Sequence, residues 1–214
     1  MSVKRDSFSV SFTVGAYGSA FGASAVANHF TVLQACLLSL LLFSGASQFA
    51  VIGVMGAGGS AASAIATSTL LGTRNALYGL RMSSILKHKG WRRAIGAQIT
   101  IDESTGVALS QSNEVDARKG FWYTGLGVFL FWNLFTLMGA LGANAIGDPS
   151  AWGLDAAVPA AFLGMLWPRL KERATWAVAA ASLVLALVLV PNVPAGVPII
   201  SCALIAIVVG WRSE

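Results

Sequence analysis

An all-α integral membrane protein of about seven or eight membrane-embedded helical segments, at least one of them broken or re-entrant, is the fold class this sequence predicts. Three observations carry the prediction. Hydrophobic residues make up 56% of the 214, charged residues only 11%, and the mean hydropathy is +0.70. A soluble domain carries about 25% charged residues, so this chain has too little charge to cover a water-facing surface. No polar stretch is long enough to fold alone, and residues 1–214 read as one transmembrane domain. Finally, Leu41 to Gly79 is apolar enough for a bilayer yet is interrupted at Ser44-Gly45-Ala46-Ser47-Gln48 and again at Gly56-Ala57-Gly58-Gly59-Ser60. A broken backbone at membrane depth is tolerated only where it is buried in protein or lines a cavity.

The first segment covers about Ser9 to Ala27. Gly15, Gly18, Gly22 and Ala25 follow at spacings of three, four and three and line one helical face with small residues, which lets helices approach closely in lipid. That face reads first as a packing seam. The run ends in small residues like a signal-peptide exit, but it is too rich in Gly and Ser for an apolar signal core and reads as retained. The second segment runs from about Thr31 to Met55 and the third from about Ser60 to Leu80, with Ser60 placed to N-cap it. Arg81, Lys87, Lys89, Arg92 and Arg93 then form a basic cluster without an acid, the strongest cytoplasmic signal in the chain. The fourth segment, about Ala94 to Ser110, is weakly apolar and carries Asp102 and Glu103. Exposing both to lipid costs on the order of 3 kcal/mol each, so the segment reads as re-entrant, interfacial or buried.

The fifth segment, Phe121 to Asn144, opens on an interfacial aromatic belt and carries Gly125, Gly139 and Gly142 as helix-contact glycines. The acidic loop with Asp148 and Asp155 reads as external. A short sixth segment ends at Trp167-Pro168, before the basic Arg169, Lys171 and Arg173. The seventh, Ala174 to Val190, is almost pure Ala, Leu and Val, and the eighth, Ile199 to Trp211, closes on Arg212.

The charge map is consistent in the second half and conflicts in the first. With Lys4 inside and three full crossings, the basic cluster after Arg81 falls outside. Either the N-terminus is outside or one early segment does not fully cross. Other function classes find little support. Lys and Arg are neither gathered on a soluble face nor interleaved with aromatics, so nucleic acid is not indicated. Cys36 and Cys202 lie in apolar runs, His29 and His88 stand alone, and no metal, cofactor or catalytic cluster is readable.

Three elements point to a family. Phe43-Ser-Gly-Ala-Ser-Gln-Phe49 resembles the "AGASQF" signature of the AzlC family of branched-chain amino acid permeases. Gly72-Thr-Arg-Asn-Ala-Leu-Tyr-Gly79 resembles its N-x-R-H-x-x-Y-G element, and Thr100-Ile-Asp-Glu-Ser104 its T-D-E-S element. Gly72 and Asn75 depart from the pattern, so Arg74 and Tyr78 carry over and no histidine role does. The resemblance implies a multi-pass transporter of the bacterial inner membrane that exports branched-chain or other small apolar amino acids and works with a small AzlD-type membrane subunit.

The residues themselves supply a physical reading of such a site. A helix restarting at Gly45 presents free N–H groups, with Ser47 and Gln48 in its first turn, and so offers a carboxylate site without a charged side chain. Gln48 reads equally as interhelical glue. Arg74 reads as a snorkelling residue, as an ion-pair partner of Asp102 or Glu103, or as a counter-charge for a substrate carboxylate. Tyr78 reads as an interfacial anchor or a neighbour of Arg74. Asp102 and Glu103 read as first-turn acids of a helix, or as the groups that carry a coupling proton or meet a substrate ammonium. The rival class is a membrane scaffold or assembly subunit without a solute, which has no need of these polar residues at membrane depth.

Overall fold

A computed structural model describes residues 2–146, 157–167 and 170–212, and these are helical throughout apart from turns and connectors. The helices in order are α1 (Val3–Ala27), α2 (Val32–Leu41), α3 (Gly45–Gly56), α4 (Ala61–Leu86), α5 (Trp91–Gln98), α6 (Asp102–Leu109), α7 (Glu114–Ile146), α8 (Ala157–Leu166), α9 (Arg173–Leu189) and α10 (Val197–Arg212). The acidic loop with Asp148 and Asp155, Pro168, Arg169 and the Arg212 side chain lie outside the described residues.

Two helices, Val3–Ala27 and Glu114–Ala143, are long and apolar enough to cross a membrane by length and composition. They form the spine. Any side chain at Gly15 would meet Phe131, one at Gly18 would meet the Trp132 carbonyl, and one at Gly22 would meet the Thr136 carbonyl. The small-residue face of α1 is therefore a seam at which the two backbones nearly touch, and Ser11 donates across it to the Thr124 carbonyl at 3.2 Å. Residue numbers rise together on both sides of the seam, so α1 and α7 run parallel. From α7, Gly139 packs on the Ser19 backbone and Gly125 on Ile99, whereas Gly142 has open space where a side chain would go. Gly142 is thus not a contact glycine among the described residues, a correction to the reading of that helix.

Two of the eight expected segments are each a pair of short helices that turns back, so segments cannot be counted as crossings. Thr31 and Gln34 cap the start of α2 reciprocally. From there α2 passes Thr136, to which Ser39 is hydrogen-bonded at 3.3 Å, and ends where Phe43 packs on Phe129 with ring centroids 4.9 Å apart. α3 then climbs again, past Trp132 and Phe21, until Gly56 lies against Asn28 at the end of α1. The pair enters and leaves at the same end of the molecule. The second pair repeats this from the opposite end. α5 rises from the end of α4 until Gln98 reaches the Leu40 and Leu41 carbonyls, and α6 descends until Val107 lies against Gly120 near the start of α7.

Between the two pairs runs α4, N-capped by Ser60, whose hydroxyl accepts from the Ser63 N–H at 3.1 Å. Its far end meets the start of α7: Arg118 donates to the Ile85 carbonyl at 2.7 Å, and the Trp122 ring N–H donates to His88 at 2.9 Å. Lys4 and Arg5, the cluster from Arg81 to Arg93, and Arg118 with Lys119 consequently lie at one end. The conflict in the charge map disappears, because the second segment returns to the end of the molecule from which it starts. The expected end of the third segment near Leu80 is also corrected: α4 continues through Arg81-Met-Ser-Ser to Leu86. Beyond this unit, α9 and α10 pack on each other and leave Leu183, Leu187, Leu204 and Ile207 exposed.

Candidate functional site

The tips of the two turned-back pairs meet between α1, α4 and α7. At the first tip, Gln48 is fully buried and holds the break together. Its Nε2 donates to the Leu42 carbonyl at 2.7 Å and reaches the Ser39 carbonyl at 3.5 Å, while its Oε1 accepts from the Trp132 ring N–H at 2.9 Å. The Ser39 and Leu42 carbonyls at the end of α2 thereby gain a side-chain partner, the latter in addition to the Ser44 N–H at 2.8 Å. Gln98 does the same from the other tip, at 3.0 and 3.3 Å from the Leu40 and Leu41 carbonyls. The second tip is tied by Ser104, which donates to the Ile99 carbonyl at 2.8 Å and accepts from the Ile101 N–H at 3.1 Å.

A cavity of about 480 Å³ opens where α3 and α6 begin. Its walls are apolar on most sides: Val14 from α1, Phe43 and Phe49 from the first pair, Ile101 from the second, and Val128 and Trp132 from α7. Arg74, Asp102 and Glu103 all line it, and Arg74 Nη1 lies 2.8 Å from Asp102 Oδ2. These two side chains are 27% and 30% exposed, so water screens the pair only in part. Arg74 sits in the middle of α4, which removes the snorkelling reading. Its Nε is buried and has no hydrogen-bond partner among the described residues. Ser44, the residue before α3, makes no side-chain cap, and its hydroxyl is also buried and unpartnered at the cavity wall. Gly45 and Ala46, the first residues of α3, line the same space.

Of the residues singled out from sequence, the fold brings Gly45, Arg74, Asp102 and Glu103 to this cavity. Ser47 is turned away. It is fully buried, donates to the Ser68 carbonyl at 2.9 Å, and pins α3 to α4. Gln48 lies behind the wall as a strut, and Tyr78 is half-buried on α4 and lines neither this cavity nor the second one beyond the tips. Sequence reasoning missed Trp132, which both lines the cavity and holds Gln48. It stands inside an unbroken apolar run, and its link to Gln48 spans 84 positions.

An arrangement of this kind can hold a small zwitterion with an apolar side chain. Its cation and helix N-terminus are suited to a carboxylate, its two acidic residues to an ammonium, and its aromatic and aliphatic wall to an apolar side chain.

Comparison with known proteins agrees with the membrane character of the fold. The chain is 27% identical over 170 residues to "Inner membrane protein YgaZ" of Escherichia coli (strain K12), covering 76% of this chain and 69% of that one. It is 24% identical over 159 residues to an "Uncharacterized membrane protein" of Helicobacter pylori (strain ATCC 700392 / 26695), covering 72% and 68%. No solved structure matches it significantly. The sequence model of the family described as "AzlC protein" matches residues 9–146, the stretch that holds most of α1, α2 to α7, both turned-back pairs and most of the cavity lining. The chain is an integral membrane protein and belongs to the AzlC family.

Proposed function

We propose that the protein is a secondary transporter that carries branched-chain or other small apolar amino acids out across the bacterial inner membrane by alternating access, together with a small membrane subunit of the AzlD type. The observation that carries this reading is the cavity at the two tips. It combines a half-helix N-terminus, a cation with a spare buried donor, two carboxylates and an apolar wall where two broken segments meet. Arg74 and the α3 N-terminus take the substrate carboxylate. Asp102 and Glu103 take the ammonium or a coupling proton, and the Arg74–Asp102 pair opens when substrate competes for it. Gln48 acts as a positioning residue that keeps the α2–α3 break in register. The basic end of the molecule is the cytoplasmic one in this reading.

The experiment uses cells lacking the protein, loaded through leucine- or valine-containing dipeptides. The intact chain restores growth and leucine efflux, while Arg74→Ala and Asp102→Asn restore neither at equal membrane abundance. Equal rescue by both variants overturns the site, and absence of amino acid flux with and without the partner subunit overturns the function.

A further inference from the structure

A second cavity, of about 460 Å³, lies on the other side of the same two tips. The first cavity meets the N-terminal ends of α3 and α6. This one meets the C-terminal ends of α2 and α5, lined by Leu41 and Leu42 from one and by Ala97 and Gln98 from the other. The carbonyl end of a helix carries partial negative charge. None of the lining residues is charged.

Much of the polar lining is already committed as hydrogen-bond donors. The Ser47, Ser68, Thr73 and Thr100 hydroxyls donate to the carbonyls of Ser68, Ile65, Leu70 and Gly96 at 2.9, 3.0, 2.6 and 2.6 Å. A hydroxyl that has given up its only hydrogen offers lone pairs alone. Gln98 spends its amide N–H groups on the Leu40 and Leu41 carbonyls, which leaves its oxygen as the free end. Asn75 Oδ1 is buried with no hydrogen-bond partner among the described residues. Beside two negative helix ends the cavity therefore presents mainly neutral oxygen acceptors, together with the Ser44 hydroxyl, which is buried and has no partner among the described residues.

We infer that this second cavity binds a small monovalent cation, an alkali ion, through hydroxyl and amide oxygens at the C-terminal ends of α2 and α5. Oxygen ligands suit hard cations, and a set without a carboxylate suits a single charge better than a double one. Phe43 and Ser44 line both cavities, so ion and solute would sit on opposite faces of one tip. Binding rests on this geometry alone; use of the ion to drive export rests on the transporter reading above. A primary ammonium shares the chemistry, and the test separates the two.

The full chain in lipid nanodiscs is unfolded thermally in sodium chloride, methylammonium chloride or choline chloride at one ionic strength. With sodium about tenfold above its Kd, Tm rises by about 3–5 °C over choline. Thr100→Val and Asn75→Leu each remove the sodium-dependent difference whatever their own Tm, and Asp102→Asn, in the first cavity, retains it. Direct equilibrium binding of radioactive sodium to the unmodified chain covers the case of variants that do not fold. Equal Tm in sodium and choline with no sodium bound, or a full shift from methylammonium with none from sodium, overturns the inference. A sodium shift without any leucine flux supports the site and overturns the transporter reading. Leucine flux without a sodium shift does the reverse.

Discussion

The α1–α7 seam and the first turned-back pair are built from the same small residues, yet the helices of one are continuous and the other is interrupted. On α1 the glycines are spaced three and four apart, fall on one face and bring two continuous backbones into contact. Around Ser44 and Gly45 the small residues are adjacent, so they cover every face and no helix–helix packing rewards continuity. The chain breaks there, and Gln48 and Gln98 take up the carbonyls that the break exposes. Spacing decides whether glycine makes a spine or a hinge. The spine positions α7, α7 supplies Trp132, and Trp132 holds Gln48; the hinge region is thus precise because the seam is.

The largest expected effect sharpens that contrast. Gly22→Leu forces a side chain into the α7 backbone and costs more than about 4 kcal/mol or prevents folding, read as loss of the monodisperse peak in detergent chromatography. Arg74→Ala leaves the seam intact and removes the cavity's cation. Leucine efflux falls by at least about tenfold, equivalent to about 1.4 kcal/mol of transition-state stabilisation, while the chromatographic peak persists. Gln48→Leu leaves the Trp132 N–H without its partner, while the Leu42 carbonyl keeps the Ser44 N–H at 2.8 Å. The cost is about 1–3 kcal/mol for the group left unsatisfied, read as a lower Tm. Gly142→Ala is the smallest change: with open space at that position it is neutral or raises stability by up to about 1 kcal/mol, although it lies one turn beyond the tightly packed Gly139. A loss there as large as at Gly22 would remove the distinction between the two kinds of glycine.

Much of this organisation was legible in the residues, and what was not has physical reasons. The first break showed itself because Ser44-Gly45-Ala46-Ser47-Gln48 is a poor helix interior, and the parity conflict in the charge map asked for either an outside N-terminus or a segment that does not cross. The second break, at Ile99-Thr100-Ile101, carries no Gly or Pro; it is made by Thr100 and Ser104 bonding to nearby carbonyls, which composition does not reveal. Arg74 seemed close to a membrane surface because hydropathy ends near Leu80, whereas the helix itself continues to Leu86 and leaves the arginine at its centre. The division of labour between the cavities depends on which ends of the half-helices meet, and that is a tertiary property.

The central claim is that the two broken segments enter from opposite faces and return to them. After replacement of Cys36 and Cys202, single cysteines at His29, Ala57, Lys89 and Ser112, all exposed, are labelled with a membrane-impermeant thiol reagent in intact and in opened cells. His29→Cys and Ala57→Cys, which flank the first pair, should label from the outside, and Lys89→Cys and Ser112→Cys, which flank the second, only after the cells are opened. His29→Cys and Ala57→Cys on opposite sides of the membrane would mean that the first pair crosses, and would contradict the account.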